Sequence, residues 1–177
     1  MAQKVAQLTP ILTAAPVVPV IVLDDIEAAA PLAHALVEGG LPALEVTLRT
    51  PNALAIIKEM AKVEGAFVGS GTVRNKAHIE PSIEAGAQFM VSPGAPLQLL
   101  EDVLQYDVPL LPGVSTATEA MAAAELRQPV VGAAWYAVHL AALPFVPATW
   151  DRVFAGPLDG SVDRSGDDSM AIFDCIV

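Results

Sequence analysis

The sequence predicts an α/β fold of the TIM-type (β/α)8 barrel kind, here an incomplete one with five recognisable βα units. Three observations carry this reading. Five short apolar segments recur at near-equal spacing through the first two-thirds of the 177-residue chain. Stretches of helical periodicity separate them, as parallel βα units require. Polar and glycine-rich signatures gather after segments two to five, at the ends where a barrel opens its mouth. A dinucleotide-binding open sheet would carry a glycine-rich phosphate turn after the first strand. The residues there are Leu23-Asp24-Asp25, acidic and without glycine.

Taken in order, residues 3–13 read as a short amphipathic helix carrying Val5, Leu8, Ile11 and Leu12. Residues 17–22 (Val-Val-Pro-Val-Ile-Val) form the first strand. A helix over 26–38 follows, with Asp24 and Asp25 as candidate N-caps and Gly39-Gly40 as its stop. The second strand covers 43–49. Thr50-Pro51-Asn52 opens a helix in which Ala53, Leu54, Ile56, Ile57 and Met60 recur at helical spacing. Further strands are expected at 66–70, 88–92 and 108–112, and further helices at 76–85, 96–104 and 118–126. Right-handed parallel crossovers link such units almost without exception.

From residue 128 the pattern stops. Trp135 and Trp150 both lie beyond that point, and no lysine follows Lys76. The chain therefore divides into a barrel portion, 1–127, and an atypical tail, 128–177. Within the tail, 130–138 and 170–177 are candidate strands. Residues 159–168 are acidic but lack the spacing and closing glutamate of a calcium loop, so they read as solvated loop. Five units leave two sheet edges that the tail must cover, which predicts poor solubility or oligomerisation.

Bulk composition narrows the partners. Nine Lys and Arg against twenty Asp and Glu give a formal net charge of −11. That balance disfavours nucleic acid and anionic membranes, which need clustered cations. Mean hydropathy is +0.52, yet no apolar run reaches the ~18 to 20 residues of a membrane-spanning helix. The apolar excess suits a parallel sheet buried on both faces. The N-terminus has no secretory hydrophobic stretch. Cys175 is the only cysteine, so an internal disulfide and a multi-cysteine zinc site are excluded. His34, His78 and His139 have no metal-ligand spacing, and neither a metal nor a cofactor is expected.

The chemistry-bearing residues lie on and after strands two to four. Alternation places Glu45, Thr47 and Arg49 on one face of strand two. A glutamate in an apolar strand is costly to bury unless it is paired. It is either half of a structural ion pair with Arg49 or a general base beside an anion-binding arginine. Partial desolvation raises such a carboxyl toward neutrality, as base catalysis needs. Gly69-Ser70-Gly71-Thr72 ends strand three; its glycines let backbone approach a ligand, and Thr72 offers a hydroxyl donor to a carboxylate. Ser92-Pro93-Gly94 and Pro112-Gly113-Val114-Ser115-Thr116 end the next two strands.

Together, residues 16–22, Leu44-Glu45-Val46-Thr47-Leu48-Arg49-Thr50, 69–73, 84–89, Val91-Ser92-Pro93-Gly94 and 111–116 resemble the 2-keto-3-deoxy-6-phosphogluconate (KDPG) aldolases, a family that includes 2-keto-4-hydroxyglutarate (KHG) aldolase activity. The resemblance spans about residues 8–127. It implies a cytoplasmic, metal-free homotrimeric barrel that works through a Schiff-base lysine. Such an enzyme cleaves KDPG to pyruvate and glyceraldehyde 3-phosphate, the last step of the Entner–Doudoroff route. It implies Glu45 as the proton-transfer residue, Arg49 and Thr72 as holders of the substrate carboxylate, and Pro93 as a pocket wall. The family's nucleophile lies in a Lys-Phe-Phe-Pro-like stretch on strand six, where this chain has residues 128–135 without lysine. The family's Thr-Gly-Gly and Gly-Ser phosphate loops have no counterpart. Lys4, Lys58, Lys62 and Lys76 are the only lysines; Lys76 is nearest the mouth but, at a helix start, is expected to point to solvent. A reading-frame shift near codon 128 would give such a break, which sequencing of the gene tests. An inactive barrel subunit with a structural or regulatory anion site is the alternative.

Overall fold

A computed structural model describes residues 5–126 of the chain. Its elements run α1 (Val5–Leu12), β1 (Val20–Ile21), α2 (Ala29–Glu38), β2 (Ala43–Thr47), α3 (Ala53–Met60), β3 (Phe67–Gly71), a 3-10 turn (Lys76–His78) leading into α4 (Ile79–Glu84), β4 (Phe89–Ser92), α5 (Leu97–Val103), β5 (Leu110–Pro112) and α6 (Ala117–Glu125). The five strands form one sheet in the order β1-β2-β3-β4-β5, every pair parallel. This is the βα repeat of the expected barrel. The candidate strands at 130–138 and 170–177, and the tail as a whole, lie outside the described residues.

Alternation sorts the side chains onto two faces. Ile21, Leu44, Val46, Val68, Met90 and Leu110 face the helices and pack with Ala29, Ala33, Ile56, Ile57, Met60, Leu99, Leu100 and Val103. The other, inner face carries Ala43, Phe67, Phe89, Val91 and Leu111, closed at the N-terminal end of the strands by Leu8 and Ile11 of α1. All five residues of β2 are buried, as a strand covered on both sides should be.

Several boundaries differ from the sequence reading, each for a local reason. Strand one was expected over 17–22 but pairs only at Val20 and Ile21. Pro16 and Pro19 have no N–H to give a ladder, and Pro19 contributes only its carbonyl, which accepts from the Glu45 N–H at 3.0 Å. Helix α2 begins at Ala29 rather than residue 26, with Ala28 at the cap and no side-chain cap bond. Asp25 Oδ1 instead accepts from the Glu27 N–H, and Asp24 is taken up by the loop after β2. Residues 76–78 wind as a 3-10 turn capped by Asn75, whose side chain accepts from the Ala77 N–H.

On the helix side of β3, Ser70 is fully buried. Its Oγ is the one buried side-chain polar atom among the described residues with no hydrogen-bond partner. A buried hydroxyl left unpaired carries a desolvation penalty without return. Ser70→Ala is therefore expected to raise the unfolding free energy by about 1 kcal/mol, read as a higher urea midpoint at unchanged slope.

Candidate functional site

The C-terminal edge of the sheet brings together Glu45, Arg49 and Thr72, with Pro93 on the next turn. Glu45 sits mid-strand on β2, in register with Gly69 of β3, and is 9% exposed. Burial lifts its carboxyl from 4.5 to about 7, while the Arg49 charge pulls the other way. A carboxyl balanced near neutrality can both accept and release a proton at physiological pH.

Arg49 reaches this neighbourhood by a route that alternation did not foresee. Strand β2 ends at Thr47, so Arg49 does not share the strand face with positions 45 and 47. The Leu48 N–H makes one more bond to the Gly71 carbonyl at 2.9 Å, and the chain then turns, with the Arg49 N–H on the Thr47 carbonyl at 2.8 Å. Arg49 is exposed, and its Nε donates to Thr72 Oγ1 at 3.2 Å. The Thr72 hydroxyl, expected as a donor to a carboxylate, thus also serves as an acceptor that fixes the guanidinium.

Thr72 holds this position with φ at +62°, the only non-glycine residue in the left-handed region among those described. A β-branched residue there is strained by ~1 to 3 kcal/mol. Glycine would sit there freely but offers no hydroxyl. Strain of this kind persists where the surrounding structure over-determines it, and it clusters at functional sites.

The loops carrying these groups are latched to one another. Thr47 Oγ1 donates to the Ile21 carbonyl at 3.1 Å, and Thr50 Oγ1 to the Leu23 carbonyl at 2.7 Å. Asn52 Nδ2 donates to the Asp24 carbonyl at 2.9 Å, and the Asn52 N–H to Asp24 Oδ1 at 3.4 Å. Asp24, read in the sequence as a helix cap, instead joins Asn52, the residue at the start of α3, in tying the loop after β1 to the loop after β2. No periodicity marks such a contact across 28 positions.

The two glycines of β3 make room for side chains. A Cβ at Gly69 would fall 2.5 Å from the Phe89 ring, and one at Gly71 would collide with the Glu45 carboxyl group. Pro93 follows β4 and is exposed at the same edge. Ser92 Oγ donates to the Gly94 carbonyl at 2.7 Å, which pins that turn. After β5, Thr116 and Glu119 form a capping box at the start of α6. Hydrogen bonds from the Ser115 N–H and the Thr116 side chain hold the Glu119 carboxyl below its usual range.

The described lysines stand elsewhere. Lys58 is exposed on α3. Lys62 pairs with Glu59 at 2.6 Å, and Lys76, expected to point to solvent, lies 3.8 Å from Asp102 of α5 while staying half exposed. Lys4 and the strand-six stretch lie outside the described residues. No group of three or more His, Cys, Asp or Glu suited to a metal occurs among the described residues, and no described helix is long and apolar enough to cross a membrane. A cleft of about 200 Å³ lined by Leu48, Thr50, Pro51, Ala53, Leu54, Ala77, His78 and Pro81 excludes Glu45, Arg49 and Thr72.

The chain is similar to known proteins. Residues 8–130 match the family model for KDPG and KHG aldolase. The chain is 50% identical over 112 residues to a 2-dehydro-3-deoxy-phosphogluconate aldolase of Zymomonas mobilis, covering 63% of this chain and 54% of that relative. It is 51% identical over 112 residues to the KHG/KDPG aldolase of Escherichia coli, covering 63% and 53%. The chain thus spans about half the length of the curated relatives it matches. Among solved structures, a Z. mobilis KDPG aldolase with 3-phosphoglycerate superposes with a TM-score of 0.68 at 44% identity, covering 71% of this chain and 60% of that one. A Legionella pneumophila KDPG aldolase, with pyruvate captured as a covalent carbinolamine, superposes with a TM-score of 0.66 at 33% identity, covering 76% and 70%. The matched segment contains the whole described sheet and every residue of the Glu45–Arg49–Thr72 cluster, and the chain belongs to the KDPG and KHG aldolase family.

Proposed function

We propose that this chain carries the keto-acid half of a class I, Schiff-base aldolase site of the kind that cleaves KDPG to pyruvate and glyceraldehyde 3-phosphate. One observation carries the reading: a buried glutamate balanced near pH 7, beside an arginine held by the Thr72 hydroxyl. Arg49 anchors the substrate carboxylate through charge-assisted hydrogen bonds and so orients the C2 carbonyl. Glu45 takes the proton of the departing hydroxyl, directly or through one water, and returns it to the carbon that becomes the pyruvate methyl. Pro93 forms a wall of the same edge. The electron sink of this chemistry is an iminium made on an amine, and no described lysine reaches the inner face.

The family match ends at residue 130, which supports a division of the chain at 127/128 and a replaced tail beyond it. On this reading the chain is an aldolase-family protein without the expected strand-six lysine, and a catalytically inactive subunit with a structural or regulatory anion-binding role is the alternative. The active family form is read as a cytoplasmic homotrimer that needs no metal or cofactor.

Pyruvate titration followed by NMR is the test. Wild-type protein is expected to bind, and Arg49→Ala to weaken binding by about tenfold or more, the worth of one charge-assisted pair. Borohydride with pyruvate is expected to leave the protein mass unchanged. A stable adduct would show that a lysine serves after all, and no pyruvate binding would remove the site assignment.

A further inference from the structure

We propose that Gly71 is a positioning residue, whose missing side chain is what allows the Glu45 carboxyl group to lie against the end of β3. The inference rests on reading Glu45 as the proton-transfer group, and it assigns a part of the machinery that has no chemistry of its own.

The argument starts from register. Glu45 stands opposite Gly69, and Gly71 opposite Thr47. The Glu45 side chain therefore leans two residues toward the C-terminal edge to lie over Gly71. A Cβ built there would fall 2.7 Å from Glu45 Cδ and 2.8 Å from its Cγ, and closer still to Oε1. Carbon atoms do not approach so nearly, so one of the two groups must leave.

The two β3 glycines differ in what would yield. At Gly69 the obstacle is the ring of Phe89, fully buried among the side chains of the inner face. At Gly71 the obstacle is the far end of a flexible side chain. Moreover, Gly71 lies outside the left-handed region that only Gly40, Gly65 and Gly86 occupy among the described glycines. Alanine is thus compatible with the backbone at 71. The fold survives the substitution and the site does not: the carboxyl group swings toward the open edge, regains water and loses its fixed relation to Arg49. Gly69 serves the core and Gly71 serves the site.

The experiment is a ¹³C NMR pH titration of the glutamate carboxyl carbons in the full 177-residue protein, with the Glu45 signal assigned by its loss in Glu45→Gln. In the wild type Glu45 is expected to titrate near neutrality. In Gly71→Ala it is expected to fall by about one pH unit or more toward the ordinary carboxylate range, because solvation returns, while far-UV circular dichroism is unchanged. A Glu45 that titrates alike in both proteins overturns the proposal. A wild-type Glu45 that titrates with ordinary carboxylates overturns the base assignment itself, and the positioning role falls with it. If Gly71→Ala does not fold, the double variant Gly71→Ala/Glu45→Ala decides. Its recovery of a cooperative melt shows that the glutamate was the obstacle, and its failure to fold shows that Gly71 serves the backbone instead.

Discussion

Glu45→Gln is expected to make the protein more stable at pH 8 and to leave its stability unchanged at pH 4. The folded-state carboxyl is raised from 4.5 to about 7 by burial, so the folded protein holds this proton more tightly than the unfolded chain does. Glu45 therefore favours folding fully below pH 4.5, and that contribution is lost as pH rises through about 7. Above pH 7 the folded state must hold a buried carboxylate, at a cost of about 3 kcal/mol by linkage. Glutamine matches the protonated acid in shape and never ionises. The stability difference between the proteins should open between pH 4.5 and 7 and level off above. Urea unfolding at pH 4, 6 and 8 measures it directly; equal stability of the two proteins at pH 8 would show that Glu45 is solvated. The same variant cannot exchange a proton, so the gain in stability accompanies loss of the acid-base group. This is the usual exchange where a site is built from an unfavourably buried charge.

Phe89→Ala should lower stability by about 3 to 5 kcal/mol, near the top of the range for emptied cores. Phe89 is fully buried at the centre of the inner face, among Leu8, Ile11, Ala43, Val91 and Leu111. Its register partner is Gly69, and its ring occupies the space a side chain at 69 would fill. The adjacent strand therefore offers no side chain at 69 to enter the void, and the cavity is left to whatever relaxation the surrounding aliphatic side chains allow. Domains have only ~5 to 15 kcal/mol in total, so the variant should unfold at much lower denaturant. Chemical denaturation at pH 6 checks this. A loss below about 1 kcal/mol would mean that the inner face is loosely packed.

The order of elements was legible because short apolar runs mark the strands and most helices end at a glycine or enter a turn, signals carried within a few residues. The legible part of the site was Glu45: a charge inside an apolar strand stands out on its own. Arg49 was identified with the right neighbour by the wrong geometry. Alternation predicts its face only if the strand continues, and the strand stops at Thr47; the long side chain reaches Thr72 from the turn. The left-handed backbone of Thr72 could not be read, because a β-branched residue is the last choice for that conformation. The glycines of β3 were noticed, but their purpose depends on which side chain crosses from the adjacent strand, and local sequence is silent about that. The cap assigned to Asp24 failed in the same way, because its partner Asn52 lies 28 positions away.

The strand order has a consequence for how the molecule comes into being. Each described strand after the first pairs with its immediate predecessor, Val20 with Glu45, Ala43 with Phe67, Gly69 with Phe89 and Met90 with Leu110. Each docking step therefore closes a loop of only about two dozen residues, an inexpensive closure. None of these four pairings waits for a segment still to be made. A ribosome releasing this chain from its N-terminus hands over the staves in the sequence in which they join, so Glu45, Arg49 and Thr72 can meet before the last third of the polypeptide has left the exit tunnel.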